Sequence, residues 1–162
     1  MRELPADPGP RLIVHTDGAA RGNPGPAGIG VVVTDRRGRV VEEIAEGIGP
    51  ATNNVAEYRA AIAGLRAAAD RGARSVLLRS DSRLLIEQLA GRFRVKNPTL
   101  QRLHEEARAE MTRFDDVGLE HVPREQNADA DRLANAGIEA WLAGPGRDWI
   151  PPERPADPLF DG

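Results

Sequence analysis

The sequence predicts an α/β chain built on a five-stranded mixed sheet flanked by helices, in the order βββαβααβα. Two observations carry this. Three β-branched runs open the chain at residues 11–16, 28–34 and 39–48, and "DRRG" between the last two suits a hairpin turn, so the three should pair antiparallel. Beyond them, helical periods enclose two further short runs at 75–80 and 117–123, and a strand reached through a helix pairs parallel to its predecessor.

Each later element has its own signal. From 52 to 72 the apolar residues Val55, Tyr58, Ile62, Leu65 and Ala69 recur at helical spacing and stop at a glycine, predicting a helix with one face on the sheet. "SVLLRS" is a strand with an apolar centre, and a helical pattern through Leu85 and Leu89 follows directly and ends at Gly91. "RFRVKN" reads as a basic connector, Pro98 opens a helix to about Phe114, and Asn127 reads as the cap of a last helix reaching about Leu142. The folded domain is therefore expected over 11–142, with flexible termini at 1–10 and 143–162, where proline and glycine are dense and periodicity is lacking.

A chain of 162 residues, 40% hydrophobic and 29% charged, suits one domain with a core of ordinary size. The absence of cysteine excludes disulfides and thiolate metal sites, and "MRELPADPGP" lacks the apolar centre of a signal peptide, so a cytoplasmic setting is expected. No stretch is long and apolar enough to cross a bilayer, so no membrane role is expected, and the chain is read as a monomer. A formal net charge of −3 argues against strong nucleic-acid binding by charge alone. That argument weakens if some acids hold divalent cations, whose charge cancels theirs.

Four acids stand at element junctions: Asp17 late in the first strand, Glu57 early in the first helix, Asp81 between a strand and a helix, and Asp131 in the opening of the last helix. Each has a structural reading, with Asp81 as a cap, Asp131 against a helix dipole, and Asn54-x-x-Glu57 as a capping box. Chain geometry favours another. Glu57 lies roughly 120° from the centre of its helix's apolar stripe, so it can lean over the sheet edge. With the first and fourth strands adjacent and parallel, Asp17 and Asp81 become neighbours, and the two helices bring Glu57 and Asp131 towards them. Four gathered carboxylates need compensating charge, and an all-oxygen ligand set points to Mg²⁺ or Mn²⁺ in preference to zinc. Two such ions can activate a water and stabilise the leaving oxygen in an attack on phosphorus.

The blocks "TDGAARGNPGPAGIG", "TNNVAEYRAAIAGL", "SDSRLLIEQL" and "VPREQNADADRLAN" occur in the order of the signatures of type 1 ribonuclease H, and the chain resembles that family from Arg11 to about Leu142. The resemblance is to the compact form found in archaea and actinobacteria, sometimes fused to a phosphatase-like domain that this sequence does not contain. It implies a ribonuclease H-like fold and an endonuclease that cuts the RNA strand of RNA/DNA hybrids with two Mg²⁺ ions, Mn²⁺ being a substitute, leaving 3′-hydroxyl and 5′-phosphate ends. It implies that Asp17, Glu57, Asp81 and Asp131 are the catalytic metal ligands, with Asp17 bridging the ions and Asp129 a surface neighbour of Asp131.

The same resemblance implies hybrid contacts from Gly18, Asn23, Thr52, Asn53 and Asn54, short polar groups and turn amides able to sense a 2′-hydroxyl; turn and cap roles are the alternative. Arg92, Arg94 and Lys96 form a short basic patch suited to the DNA strand's phosphates or to a solvated loop, where many family members carry a longer tryptophan-bearing protrusion. The family's loop histidine before the last acid is missing from "PREQN". Arg124 is the residue there that could steer phosphate or product, a plain surface arginine being the alternative. His15, His104 and His121 read as ordinary strand and helix residues. Other readings are a catalytically silent module binding hybrid or duplex, and another two-metal nuclease of the resolvase or exonuclease kind. Pro151, Pro152 and Phe160 could form a partner-docking segment in the tail.

Overall fold

A computed structural model describes residues 11–144; the expectations for the termini, including docking through Pro151, Pro152 and Phe160, lie outside the described residues. Strands β1 (Arg11–Ala20), β2 (Gly25–Thr34) and β3 (Val40–Ala51) precede helix α1 (Asn53–Asp70). Strand β4 (Ser75–Ser80), helices α2 (Arg83–Leu89) and α3 (Pro98–Met111), strand β5 (Asp116–His121), a 3₁₀ turn (Arg124–Gln126) and helix α4 (Ala128–Ala143) complete the predicted order. The sheet runs β3-β2-β1-β4-β5. Its first three strands are antiparallel, and β1, β4 and β5 run parallel.

The central strand is longer than the sequence predicts. It continues four residues past Thr16, because β2 already begins at Gly25 and pairs Asp17 with Gly30 and Ala20 with Ala27. The stretch "GNPGP" suggests a loop, yet β2 takes in Gly25–Ala27 ahead of the predicted start at Gly28, and within the strand Gly28 and Gly30 admit α4. A β-carbon at Gly30 would overlap the Ala130 carbonyl, and one at Gly28 would overlap that of Ala134.

The main core lies between the sheet and α1, α2 and α3. Val14, Val31, Val33, Val76 and Leu78 of the sheet meet Tyr58, Ile62, Leu65, Leu85, Leu89 and Leu100. Helix α4 covers the opposite face, where Ala130, Ala134 and Ile138 are fully buried. Burying such aliphatic side chains contributes roughly 1.5–3 kcal/mol each for the larger ones, which is what holds the helices rigidly on the strands.

The helix caps correct three readings. Thr52 caps α1 by accepting the Val55 N–H at 3.2 Å, so the capping box on Asn54 and Glu57 does not form and Glu57 is available for other work. Ser82 caps α2 through the Leu85 N–H at 3.2 Å, which frees Asp81 of that role. Asn127 stands at the N-cap position of α4, but its side chain makes no cap bond and donates from Nδ2 to the Thr16 carbonyl at 2.9 Å.

Candidate metal centre

Sheet register brings the first two acids together. Thr16 pairs with Ser80 in the parallel ladder of β1 and β4, so Asp17 and Asp81 are the next residues of two adjacent strands in the middle of the sheet, where β4 ends. Glu57 arrives from the first turns of α1. Its Oε1 accepts the Gly18 N–H at 2.7 Å, and a β-carbon at Gly18 would collide with the Ala56 carbonyl and the Glu57 nitrogen, so the helix can come this close only to a glycine. One carboxylate oxygen each from Asp17, Glu57 and Asp81 lies within 4.8 Å of the others.

Asp131 approaches from α4, near enough for its carboxyl to help raise that of Asp17, although the group whose ligand oxygens fall within 4.8 Å holds only the other three acids. Asn135, one turn further on, donates Nδ2 to the Asp131 carbonyl at 3.0 Å and to its Oδ1 at 3.5 Å, and accepts from Arg21 at 3.4 Å. Arg21 also pairs with Glu139, fastening the β1–β2 loop to α4. Asp129 points away: its side chain is 77% exposed and lies 3.8 Å from Arg132.

The electrostatics are those of acids lacking a counter-charge. Burial, then the charges of Glu57 and Asp81 and the nearness of Asp131, push the Asp17 carboxyl far above the usual carboxylate range. Burial also raises Glu57, to about 8, against the lowering effect of the Gly18 N–H. Asp81 is raised by burial and by Asp131, and lowered by Arg124 and by the side chain of Asn127. Carboxyls that hold protons this strongly repel one another when ionised, and a divalent cation would replace those protons with a charge of the right sign. The donor set is oxygen only, the hard-ion chemistry expected from the sequence, and it fits a divalent metal.

Around this centre the other singled-out residues divide. Asn23 Oδ1 accepts the Asn53 N–H at 2.9 Å and Asn53 Oδ1 accepts the Ala20 N–H at 3.0 Å, so Asn23, Thr52, Asn53 and Asn54 gather where α1 begins beside the β1–β2 loop. The N–H of Gly18 is spent on Glu57, which leaves it no backbone donor for a sugar. Arg124 faces the centre closely enough for its charge to lower both Glu57 and Asp81. Arg92 is taken up by Glu87 through two bonds of 2.7 and 2.8 Å, whereas no ion pair forms at Arg94 or Lys96 among the described residues. Burial and the charge of Arg79 lower the pKa of His15, His104 bonds the Gln88 carbonyl at 3.0 Å, and His121 ends β5. Asn135 and Arg21 escaped the sequence reading. Asn135 lies four residues after Asp131 on the same helix face, a spacing that signals it.

Comparison with known proteins agrees with this architecture. Residues 15–137 match the family model described as "Reverse transcriptase-like". The chain is 42% identical over 158 residues to the bifunctional protein Rv2228c of Mycobacterium tuberculosis, covering 94% of this chain but only 43% of that protein. It thus spans less than half the length of the mycobacterial relatives it matches. Ribonuclease HI of Halobacterium salinarum is 47% identical over 133 residues, covering 82% of this chain and 67% of that protein, and the crystal structure from this archaeon superposes with a TM-score of 0.78 over 80% of this chain and 98% of that one. LC11-RNase H1, isolated from compost by a metagenomic approach and crystallised with an RNA/DNA hybrid, gives a TM-score of 0.77 at 42% identity over 82% of this chain and 99% of that one. The chain belongs to the ribonuclease H family, among its type 1 members.

Proposed function

We propose that this chain is an endonuclease that hydrolyses the RNA strand of RNA/DNA hybrids, leaving 3′-hydroxyl and 5′-phosphate ends. The observation that carries the reading is the convergence of Asp17, Glu57 and Asp81, whose ligand oxygens fall within 4.8 Å, with Asp131 near enough to raise the Asp17 carboxyl. Type 1 ribonuclease H relatives at 42–47% identity, one of them crystallised with a hybrid, support the substrate class.

These four acids would hold two Mg²⁺ ions, with Mn²⁺ as a substitute. The metal would supply the Lewis acidity that activates a water and stabilises the leaving 3′ oxygen. The protein's own contribution is rigidity: Asp17 and Asp81 stand on paired strands, Gly18 fixes Glu57, and Asn135 fixes Asp131. Arg124 faces Glu57 and Asp81 and is the cation placed to meet the scissile phosphate or the departing product. Thr52, Asn53 and Asn23, cross-linked at the start of α1, present hydroxyl and amide groups to the shallow groove in which a 2′-hydroxyl distinguishes RNA.

A panel of uniformly labelled hybrid, double-stranded RNA and double-stranded DNA, each with Mg²⁺ and with Mn²⁺, tests the reading. Cutting confined to the RNA of the hybrid is the expected result. Equal cutting of DNA would indicate a different two-metal nuclease, and hybrid binding without cutting a silent module.

A further inference from the structure

Between α2 and α3 the chain crosses residues 91–97 with no regular structure, yet side chains pin it at several points. Gln88, 1% exposed, accepts from the Tyr58 hydroxyl at 2.6 Å and donates from Nε2 to the Arg94 carbonyl at 3.0 Å. Gln101 donates to the Val95 carbonyl at 3.0 Å, and Arg108 to the Leu89 carbonyl at 2.8 Å. Asn97 closes the segment by capping α3, accepting from Thr99 and Leu100.

A buried phenol and a buried primary amide are costly groups to place in a core, and two apolar side chains of similar volume would fill the space without that liability. What the polar pair adds is a fixed position for one backbone carbonyl. That carbonyl belongs to Arg94, whose side chain is exposed and forms no ion pair among the described residues, as is true of Lys96, while Val95 between them packs on the core. Phe93, 44% exposed, adjoins them. Arg92, the third cation of the connector, is already neutralised by Glu87. Helix α2 begins just after Asp81 and rises about 1.5 Å per residue, so its seven residues separate the connector from that acid by only about 10 Å of helix.

We propose that Gln88, seated on the Tyr58 hydroxyl, is a positioning residue that holds Arg94 and Lys96 as a preset pair of cations for the phosphates of the DNA strand. The proposal rests on the hybrid-nuclease reading given above. A short connector lacking a long basic protrusion has few contacts, and fixing them in advance lowers the ordering cost of binding. Tyr58 directly follows Glu57 on α1, so one helix carries both a metal-site acid and the foundation of the cation pair.

The test is a double-mutant cycle of Gln88→Met and Arg94→Ala, with Tyr58→Phe as a milder variant that removes a single hydroxyl and keeps the ring. Steady-state cleavage of a hybrid is measured across a salt series, with amide hydrogen exchange of residues 92–96 alongside. Gln88→Met is expected to raise KM about fivefold with kcat within twofold, to flatten the salt dependence as Arg94→Ala does, and to speed exchange in the connector; Tyr58→Phe shifts each in the same direction by less. On an Arg94→Ala background, Gln88→Met should add little to KM. Full additivity of the two, a fall in kcat with KM unchanged, or unaltered exchange at 92–96 would overturn the clamp. Failure of the parent protein to cut hybrids would instead overturn the functional reading, and the exchange measurement still decides the clamp.

Discussion

The backbone N–H of Gly18 donates to Glu57 Oε1 at 2.7 Å, joining the residue after one metal-site acid to the side chain of another. The bond exists because Gly18 has no β-carbon where the α1 backbone passes. Gly18→Ala should therefore force α1 away from β1, costing about 1–3 kcal/mol of stability by overpacking and more than tenfold in cleavage rate. Urea unfolding and single-turnover cleavage measure the two losses, and both should appear together.

Without divalent cation, stability should fall as pH rises. Asp17 and Glu57 have folded-state pKa values raised by burial, Glu57 to about 8, so above the usual carboxylate range the native state binds more protons than the unfolded chain. Unfolding then becomes easier with each step upward in pH, until those values are passed. Melting temperature of the metal-free protein between pH 5 and pH 9 should decline, and Mg²⁺ should stabilise most at the alkaline end.

Asn127 links the start of α4 to β1, and its side chain lies near enough to Asp81 to lower that carboxyl. Asn127→Leu leaves the buried Thr16 carbonyl without its donor, a loss of about 1–3 kcal/mol. It also removes an influence that lowers the Asp81 carboxyl, so the acid limb of the pH–rate profile should move to higher pH. An unmoved limb would reduce Asn127 to a structural tie.

Arg124 is the cation whose charge lowers both Glu57 and Asp81. Arg124→Ala should shift the same acid limb upward and slow cleavage by about tenfold or more, with Arg124→Lys recovering part of the rate because it restores charge but not the planar donor fork. Full activity in the alanine variant would leave Arg124 as an ordinary surface residue.

Much of this was legible in the sequence because the strands and helices are strongly patterned. The order of elements follows from the β-branched runs and from the 3.6-residue period of Val55, Tyr58, Ile62 and Leu65. The last four residues of β1 and the first three of β2 are hidden in the sequence because the glycines and prolines of "GAARGNPGP" suggest a loop locally, while the small residues at Gly28 and Gly30 answer to the approach of α4, more than a hundred positions away. Caps were misassigned for a similar reason. Asn127 has the residue type of a cap, but its amide finds a better partner in a distant carbonyl at Thr16. The four acids were found through their junction positions and matched motifs, whereas Asn135, Arg21 and the Tyr58–Gln88 pair act through contacts between elements, which local patterns do not report.

The most direct test of the acidic centre is cleavage of a labelled RNA/DNA hybrid by Asp81→Asn beside the parent protein at saturating Mg²⁺, with circular dichroism confirming that both are folded. Because the amide keeps the shape of the carboxylate but removes its charge, RNA cutting should drop by several orders of magnitude with the spectrum unchanged. Undiminished cutting by the folded variant would contradict the assignment of this centre as the seat of catalysis.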